Sequence, residues 1–350
     1  MNDCSTPPYN WPFIDLRSDT LTQPSDAMRQ TMACAPVGDS FYDEDPSVLE
    51  LEQTVSTLFQ HEAALFVPTG TMSNQIAVQL HCRPGEAVLG APDLHIFRAE
   101  SGAIAALGGL QTVSVLTDND FLPRSDSLEE LFVARDSIVS PPTTLLAIEN
   151  THLFSGGRIH PLAHLQALSE WCQGKKIATH LDGARLWHAH IETGVPLSEY
   201  GRLFQTISVC FSKGLGAPAG SCLIGSKKQI ERGKVLRKRL GGTMRQSGIL
   251  AAGALFALEH HLADLKNDHI KAKKIARWLK KQCPNAEVSS PETNIVLIKF
   301  QNTALDILKE FENRFQIKLS MLNQKTLRAV CHRDVSMESI DSLTESASMP

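Results

Sequence analysis

The sequence lacks the patterns that mark secreted disulfide-rich and membrane proteins. Its eight cysteines are scattered and form no Cys-x-x-Cys pair, so we expect free thiols in a reducing compartment. No apolar run approaches the length of a membrane span. Residues 1–11 show no basic segment followed by an apolar one, so no secretory leader is predicted. We therefore expect a cytoplasmic protein without a membrane partner.

A strong charge of either sign is also missing. The net charge is -4 at pH 7 and the pI is about 6.4, which gives no reason to expect a nucleic acid as partner. A basic run from Lys227 to Arg239 is local, and the simplest interpretation is a solvated helix face. No metal site is predicted, because the following histidines form no convincing zinc-ligand set and are interpreted as structural or surface residues: His180, His188, His190, His260 and His261.

Short apolar runs alternate with amphipathic segments over most of the chain. The runs predicted to be buried strands are 63–67, 86–89, 112–116, 144–148, 176–181, 207–211 and 221–224. This alternation predicts an α/β layer around a mostly parallel sheet. A long helical stretch then runs through 251–265 and past His269, followed by a second α+β segment. We predict an N-terminal arm (1–24), a large domain (25–245), and a connecting helix with a small C-terminal domain (246–350).

Polar groups of a particular kind follow two of the predicted strands. Lys213 comes after the run 207–211 and precedes two glycines, while Asp182 ends the run 176–181 and is followed by Arg185. Pyridoxal phosphate (PLP) needs an amine for its aldehyde, a carboxylate for its pyridine nitrogen and a cation near its phenolic oxygen. Both residues also have interpretations without a cofactor. Lys213 could simply be exposed to solvent, and Asp182 could cap a helix or pair locally with Arg185.

Two further motifs are weaker when taken alone. Gly70 and Thr71 lie between the strand 63–67 and a helical stretch, where free amides attract phosphate, although many such segments are plain turns. His95 follows the strand 86–89. It is either a structural histidine or a ring that stacks on a cofactor and carries protons.

Taken in order, these motifs resemble those of the low-specificity L-threonine aldolases, which are fold-type I PLP-dependent enzymes of the β-eliminating lyase superfamily. The resemblance extends from Ile14 to about Val335. The blocks that carry it are Ile14-Asp15-Leu16-Arg17-Ser18-Asp19-Thr20, Pro36-Val37-Gly38-Asp39 with Asp45-Pro46, Pro68-Thr69-Gly70-Thr71, His95 with Glu100 and Gly102, Glu149-Asn150-Thr151-His152, Asp182-Gly183-Ala184-Arg185, Ser212-Lys213-Gly214-Leu215-Gly216, and Gly241-Gly242-Thr243-Met244-Arg245-Gln246-Ser247-Gly248.

The resemblance implies a seven-stranded, mostly parallel sheet and a retro-aldol cleavage of L-threonine, L-allo-threonine or related β-hydroxy-α-amino acids into glycine and an aldehyde. It assigns roles as follows: Lys213 binds PLP covalently, Asp182 pairs with the pyridine nitrogen, Arg185 lies near the phenolic oxygen and the substrate carboxylate, Gly70 and Thr71 hold the phosphate, His95 stacks on the ring, and Ser18 and Arg328 bind the substrate carboxylate. Lys238 and Arg245 would reach a phosphate in a neighbouring subunit, which implies a homodimer or homotetramer with shared active sites. The base for the substrate hydroxyl is left open between His95, His152 and water.

The chain departs from the family pattern at three places. Asp43 stands where a glycine is expected, Ala99 stands where an aromatic residue is common, and residues 140–143 contain no second histidine. These changes leave the preference for a substrate side chain open. Two other functions also stay open, namely a PLP-dependent lyase that eliminates at the β-carbon and a non-catalytic PLP-binding protein.

Overall fold

The structure is a computed structural model that describes residues 13–118 and 121–346. The first twelve residues of the predicted arm, and with them the stretch 1–11 used to judge a leader, lie outside the described residues. Residues 347–350, at the end of the predicted small domain, also lie outside them. None of the helices in the described part combines the length and apolar character needed to cross a bilayer.

The described residues form thirteen strands and fourteen α-helices. The strands are β1 (Ile14–Asp15), β2 (Ala63–Val67), β3 (Ala87–Gly90), β4 (Gln111–Ser114), β5 (Thr143–Glu149), β6 (Ala178–Gly183), β7 (Thr206–Cys210), β8 (Ser221–Gly225), β9 (Glu287–Val288), β10 (Ile295–Lys299), β11 (Ile317–Lys318), β12 (Ser320–Asn323) and β13 (Thr326–Val330). The helices are α1 (Asp26–Ala33), α2 (Pro46–Phe59), α3 (Gly70–His81), α4 (His95–Arg98), α5 (Ala103–Gly108), α6 (Ser125–Leu131), α7 (Leu162–Lys175), α8 (Leu186–Thr193), α9 (Leu197–Leu203), α10 (Lys227–Arg239), α11 (Gly248–His260), α12 (Leu265–Gln282), α13 (Leu305–Phe315) and α14 (Met337–Ser346).

The central sheet has seven strands in the order β2-β8-β7-β6-β5-β3-β4. Strands β4, β3, β5, β6 and β7 pair in parallel, and β8 runs antiparallel to both of its neighbours. The predicted mostly parallel, seven-stranded sheet is therefore confirmed, and the predicted strand limits differ by only a few residues. Every residue of β5 is buried, as expected for a parallel strand covered on both faces.

The register of the sheet places the polar ends of its strands side by side. Glu149 at the end of β5 is opposite Asp182 on β6, and Asp182 is opposite Ser208 on β7. Because the three strands are parallel, their carboxyl ends lie at one edge of the sheet, where ligands bind in open α/β sheets. Lys213 follows β7 by three residues and therefore emerges at the same edge.

A second sheet lies in the C-terminal part of the chain. Strands β12-β13-β10-β9 form it with antiparallel pairing, and a separate hydrophobic core that includes Trp278 and Phe311 packs around it. Strand β1 pairs in parallel with β11, so the start of the described chain joins this part. The predicted limits of the arm and of the two domains stay predictions.

The predicted long helix through 251–265 and past His269 is wrong in one respect, because the chain forms two helices there. Helix α11 ends at His260 and α12 begins at Leu265. Between them the buried ring of His261 donates from Nδ1 to the carbonyl of Leu215, at 2.8 Å. This hydrogen bond connects the break between the two helices to the turn after Lys213. The pattern of apolar residues along the chain does not predict the break.

Candidate active site

The carboxylate of Asp182 is held by an amide that the sequence motifs did not single out. Asp182 is buried, and its Oδ2 accepts a hydrogen bond from Asn74 Nδ2 at 2.9 Å. Its Oδ1 accepts one from the amide of Ala184 at 3.1 Å. The carbonyl oxygen of Asn74 accepts in turn from His180 Nε2 at 3.1 Å, so His180 has a structural role, as expected. Asn74 comes from the second turn of α3 and fixes the orientation of the carboxylate.

His95 joins the same hydrogen-bonded group. Its Nδ1 donates to Glu100 Oε1 at 3.2 Å, and that oxygen also accepts from Asn74 at 2.8 Å. One ring nitrogen of His95 and one carboxylate oxygen each of Glu100 and Asp182 all lie within 4.8 Å of one another. Burial lowers the pKa of His95, but the hydrogen bond to Glu100 and the nearby carboxylates of Asp182 and Glu149 raise it above its ordinary value. The ring is therefore oriented, and its Nε2 is the nitrogen left for a ligand.

Gly70 begins helix α3 directly beside strand β7. Thr69 caps this helix, and its side chain accepts from the amide of Met72 at 3.1 Å. A Cβ on Gly70 would lie 2.6 Å from the sulfur of Cys210, so only glycine fits there without a shift. The first amides of α3, including that of Thr71, have no partner within a helix and suit an anionic group.

Lys213 lies in a turn whose backbone is fixed. Its carbonyl accepts from Thr22 Oγ1 at 2.7 Å and from the amide of Gly216 at 2.9 Å. Gly216 has a φ of 81°, which L-residues with side chains rarely adopt. The amine of Lys213 makes no hydrogen bond to the described residues. Lys213 lines a small cavity together with Arg185 and His188.

Arg185 is paired with Asp19, a contact that the sequence analysis missed. Its Nε and Nη2 donate to the two oxygens of Asp19 at 2.8 and 2.6 Å, and both side chains are buried. Burial raises the pKa of Asp19, but Arg185, followed by Lys213 and His188, lowers it well below its ordinary value. Asp19 stands in the block 14–20 that carries the resemblance, yet nothing in that block indicates a partner 166 residues away.

Arg328 and Ser18 lie near this pair. Arg328 on β13 donates from Nε to Ser320 Oγ and from Nη2 to the carbonyl of Arg17, both at 3.1 Å. Burial and the charge of Arg185 lower the pKa of Arg328 to about 10, so it is still a cation at neutral pH. Ser18 Oγ accepts from the Thr20 amide at 3.2 Å.

Lys238 and Arg245 form a different group, on the ring of Phe41. The Lys238 amine lies 5.2 Å and the Arg245 guanidinium 5.5 Å from the ring centroid. Arg245 also donates to Asp39 at 3.1 Å. Asp43 has a φ of 55°, which suits the glycine expected there, and it pairs with Lys234 at 2.9 Å. The structure does not join this group to Lys213 or Asp182 by any hydrogen bond among the residues it describes.

His152 is buried, and neither of its ring nitrogens has a hydrogen-bond partner in the described part of the chain. Its ring stacks on Phe121, with 5.9 Å between the ring centroids. Burial raises the pKa of Glu149, a carboxyl that lies close enough to His152 to interact electrostatically with it. His152 therefore stays available, beside His95, as a group that accepts a substrate proton.

The chemistry of this set fits PLP. It offers one uncommitted amine (Lys213), one fixed and buried carboxylate (Asp182), one oriented ring (His95) and a glycine-started helix for an anion. The carboxylate has lone pairs left after its two hydrogen bonds, as a protonated pyridine nitrogen requires.

Comparisons with known proteins agree with this geometry. Residues 15–303 match the beta-eliminating lyase family. Low-specificity L-threonine aldolase 1 of Arabidopsis thaliana is 38% identical over 335 residues, which cover 93% of this chain and 93% of the relative. The low specificity L-threonine aldolase of Escherichia coli K12 is 36% identical over 328 residues, which cover 94% of this chain and 96% of the relative.

A solved structure shows the same fold. The threonine aldolase of Leishmania major superposes with a TM-score of 0.79 at 21% identity, and the match covers 95% of this chain and 98% of that one. The fold-type I architecture implied by the resemblance is thereby confirmed. Given the family match and these identities over nearly the full length, the chain belongs to the low-specificity L-threonine aldolases of the beta-eliminating lyase family.

Proposed function

We propose that this protein is a PLP-dependent lyase that cleaves L-threonine, L-allo-threonine and related β-hydroxy-α-amino acids into glycine and an aldehyde. The observation that carries the proposal is the placement of Lys213 and the Asn74-held Asp182 at the ends of neighbouring strands, in a chain 36–38% identical to curated enzymes of this name. PLP, when bound, supplies the electron sink for the pair of electrons left at the α-carbon after the Cα–Cβ bond breaks.

The residues of the chain bind, orient and handle protons. Lys213 would supply the amine that holds the cofactor covalently. Asp182 keeps a positive charge on the pyridine nitrogen, because Asn74 holds its carboxylate in one orientation. Arg328, Arg185 and Ser18 bind the α-carboxylate. Fixing that group sets which bond at the α-carbon is aligned for cleavage.

His95 is the residue we assign to proton transfer from the substrate hydroxyl, with His152 or water as the alternatives. Glu100 accepts the Nδ1 proton of His95, so a neutral ring carries its lone pair on Nε2. A lone pair held in one direction is what a general base requires. The same ring is proposed to stack on the cofactor.

We further propose a homodimer or homotetramer in which Lys238 and Arg245 bind the cofactor phosphate of a neighbouring subunit. Their position on Phe41, apart from the Lys213 group, supports this arrangement, as do the exposed rings of Phe41 and Tyr42. A cytoplasmic location is proposed as well. Its support is that the seven described cysteines are all free and five of them are buried.

Purified protein tests the function directly. We expect the Lys213→Ala variant to lose the visible absorbance of the lysine-bound cofactor and to release no aldehyde or glycine from L-threonine. Lys228→Ala, which removes an exposed lysine on α10, is the matched control and is expected to behave as wild type. Wild-type protein that binds PLP but forms no glycine from any β-hydroxy amino acid would overturn the proposal.

The product separates this function from its rivals. A lyase that eliminates at the β-carbon releases pyruvate and ammonia, so pyruvate in place of glycine would establish that alternative. A PLP-binding protein without catalysis would release neither product.

A further inference from the structure

A chain of hydrogen bonds runs from the protein surface to the cavity that Lys213 lines. Glu192 Oε2 accepts from His269 Nδ1 at 2.7 Å, and His269 Nε2 is 2.9 Å from His188 Nδ1. Both histidines are buried, whereas Glu192 is partly exposed. His188 and Glu192 stand four residues apart on one face of α8, and His269 comes from α12. His188 is one of the histidines that the sequence predicts to be structural or on the surface.

The direction of these hydrogen bonds fixes where each proton lies. A carboxylate only accepts, so His269 carries its proton on Nδ1 and, as a neutral ring, has a lone pair on Nε2. That lone pair accepts the Nδ1 proton of His188. The remaining lone pair of the chain is then on His188 Nε2.

His188 Nε2 has no hydrogen-bond partner among the described residues, and it lies against Gly214, the residue after Lys213. A Cβ on Gly214 would lie 2.9 Å from it. His188, Lys213 and Arg185 line the same cavity, which Leu265 also borders. A buried lone pair without a donor is costly unless a ligand or a moving proton uses it.

We propose that Glu192, His269 and His188 form a proton relay that serves the amine of Lys213. In the forward direction a proton leaves the Lys213 ammonium for His188 Nε2. The Nδ1 proton of His188 passes to His269 Nε2, and the Nδ1 proton of His269 passes to Glu192 and then to water. Lys213 becomes a neutral amine, and reverse passage restores the starting state. The inference rests on the proposed function, since that function gives Lys213 its role as the cofactor amine.

The charges around the relay are compatible with neutral rings at neutral pH. Burial, followed by His269, lowers the pKa of His188 to about 3, and burial also lowers the pKa of His269. Burial raises the pKa of Glu192, but hydrogen bonds from His269, Lys273 and Lys266 together lower it to about 2, so the carboxyl is ionised at neutral pH. The charged groups that face the relay are Asp19 and Arg185 beside His188, and Lys266 and Lys273 beside His269 and Glu192.

Two conservative variants remove proton transfer while keeping a hydrogen bond. In His188→Asn the side-chain amide still donates to His269, and in Glu192→Gln the amide oxygen still accepts from it, but neither passes a proton onward. The matched control is His190→Asn, on the same helix, whose ring contacts only the carbonyl of Val195 in the described hydrogen bonds, at 2.8 Å.

The first measurement is the rate at which cofactor-free protein captures PLP, followed by absorbance across a pH series. General acid–base groups contribute about 10²–10⁴-fold to rates, so we expect both relay variants to capture PLP at least about tenfold more slowly. Final occupancy and thermal unfolding should match those of His190→Asn and wild type. Capture within about twofold of wild type in both variants would overturn the relay, whether or not the protein cleaves threonine.

The second measurement determines which ring nitrogen of each histidine is protonated. Nitrogen-15 spectra of histidine-labelled, cofactor-free protein, assigned with the His188→Asn variant, should show His188 and His269 as neutral rings protonated on Nδ1. A His188 proton on Nε2 would overturn the proposal, because the lone pair at the Lys213 end would then be absent.

Discussion

Replacing Asp19 with asparagine tests how much the buried pair with Arg185 stabilises the fold. Arg185 donates two hydrogen bonds to Asp19, at 2.8 and 2.6 Å, and neither side chain reaches solvent appreciably. Asparagine keeps the size of the side chain but leaves the guanidinium buried without a counter-ion. Removing one partner of a buried ion pair costs about 3–5 kcal/mol, and we expect the free energy of unfolding to fall by that amount.

Urea unfolding followed by circular dichroism, at one fixed protein concentration, measures the loss. Glu310→Gln breaks an exposed pair with Arg314 and serves as the control, expected to stay within about 0.5 kcal/mol of wild type. Combining Asp19→Asn with Arg185→Met removes both charges, so most of the lost stability should return. A loss below about 1 kcal/mol in Asp19→Asn alone would refute the reasoning.

The stability that Asp19 contributes is also expected to depend on pH. Burial raises the pKa of Asp19 in the folded protein, but the charge and hydrogen bonds of Arg185, together with the charges of Lys213 and His188, lower it well below its ordinary value. A lowered pKa contributes stability that is present above the unfolded value of about 3.9 and is lost as the pH falls through the folded value. The difference between wild type and Asp19→Asn should therefore be constant from about pH 8 to pH 5 and shrink below about pH 4.

Three further substitutions have definite expected outcomes. Asn74→Ala removes the hydrogen-bond donor to Asp182. Since hydrogen bonds to charged groups contribute about 1.5–3 kcal/mol, the affinity for PLP, measured by fluorescence titration, should fall at least about tenfold. An unchanged affinity would contradict this expectation. Gly70→Ala places a methyl group 2.6 Å from the Cys210 sulfur and should lower the free energy of unfolding by about 1–3 kcal/mol, with recovery on adding Cys210→Ala. Arg328→Lys loses the planar fork and should raise the KM for L-threonine about tenfold or more, while kcat stays within about threefold; a change confined to kcat would argue against carboxylate binding.

The strands of the central sheet were predictable from sequence because each buried strand is marked by consecutive residues of the chain. Strands of a central sheet that is covered on both faces are nearly continuous apolar runs, and such runs predict β2 and β5–β8 to within about two residues. The turns after β6 and β7 were equally visible, because a carboxylate or a lysine directly after a buried run is uncommon. Asp182 and Lys213 could therefore be chosen as candidate site residues from the sequence alone.

The partners of these residues were not predictable, because they come from distant parts of the chain. Asn74 and Asp182 are separated by 108 residues, and His188 and His269 by 81. No periodicity or spacing connects such positions; only the packing of α3 against the sheet and of α12 against α8 does. The resemblance to a family supplied residue roles, yet it said nothing of His188.

The hydrogen bonds already made by the two arginines limit how a substrate carboxylate can bind. Arg185 uses Nε and Nη2 on Asp19, and Arg328 uses Nε and Nη2 on Ser320 and the carbonyl of Arg17. Each guanidinium thus keeps Nη1 as its least committed nitrogen, so neither offers the Nε–Nη2 edge for a two-point contact. In the proposed binding mode Asp19 therefore does more than neutralise Arg185, because its two hydrogen bonds leave Nη1 as the nitrogen for a substrate carboxylate.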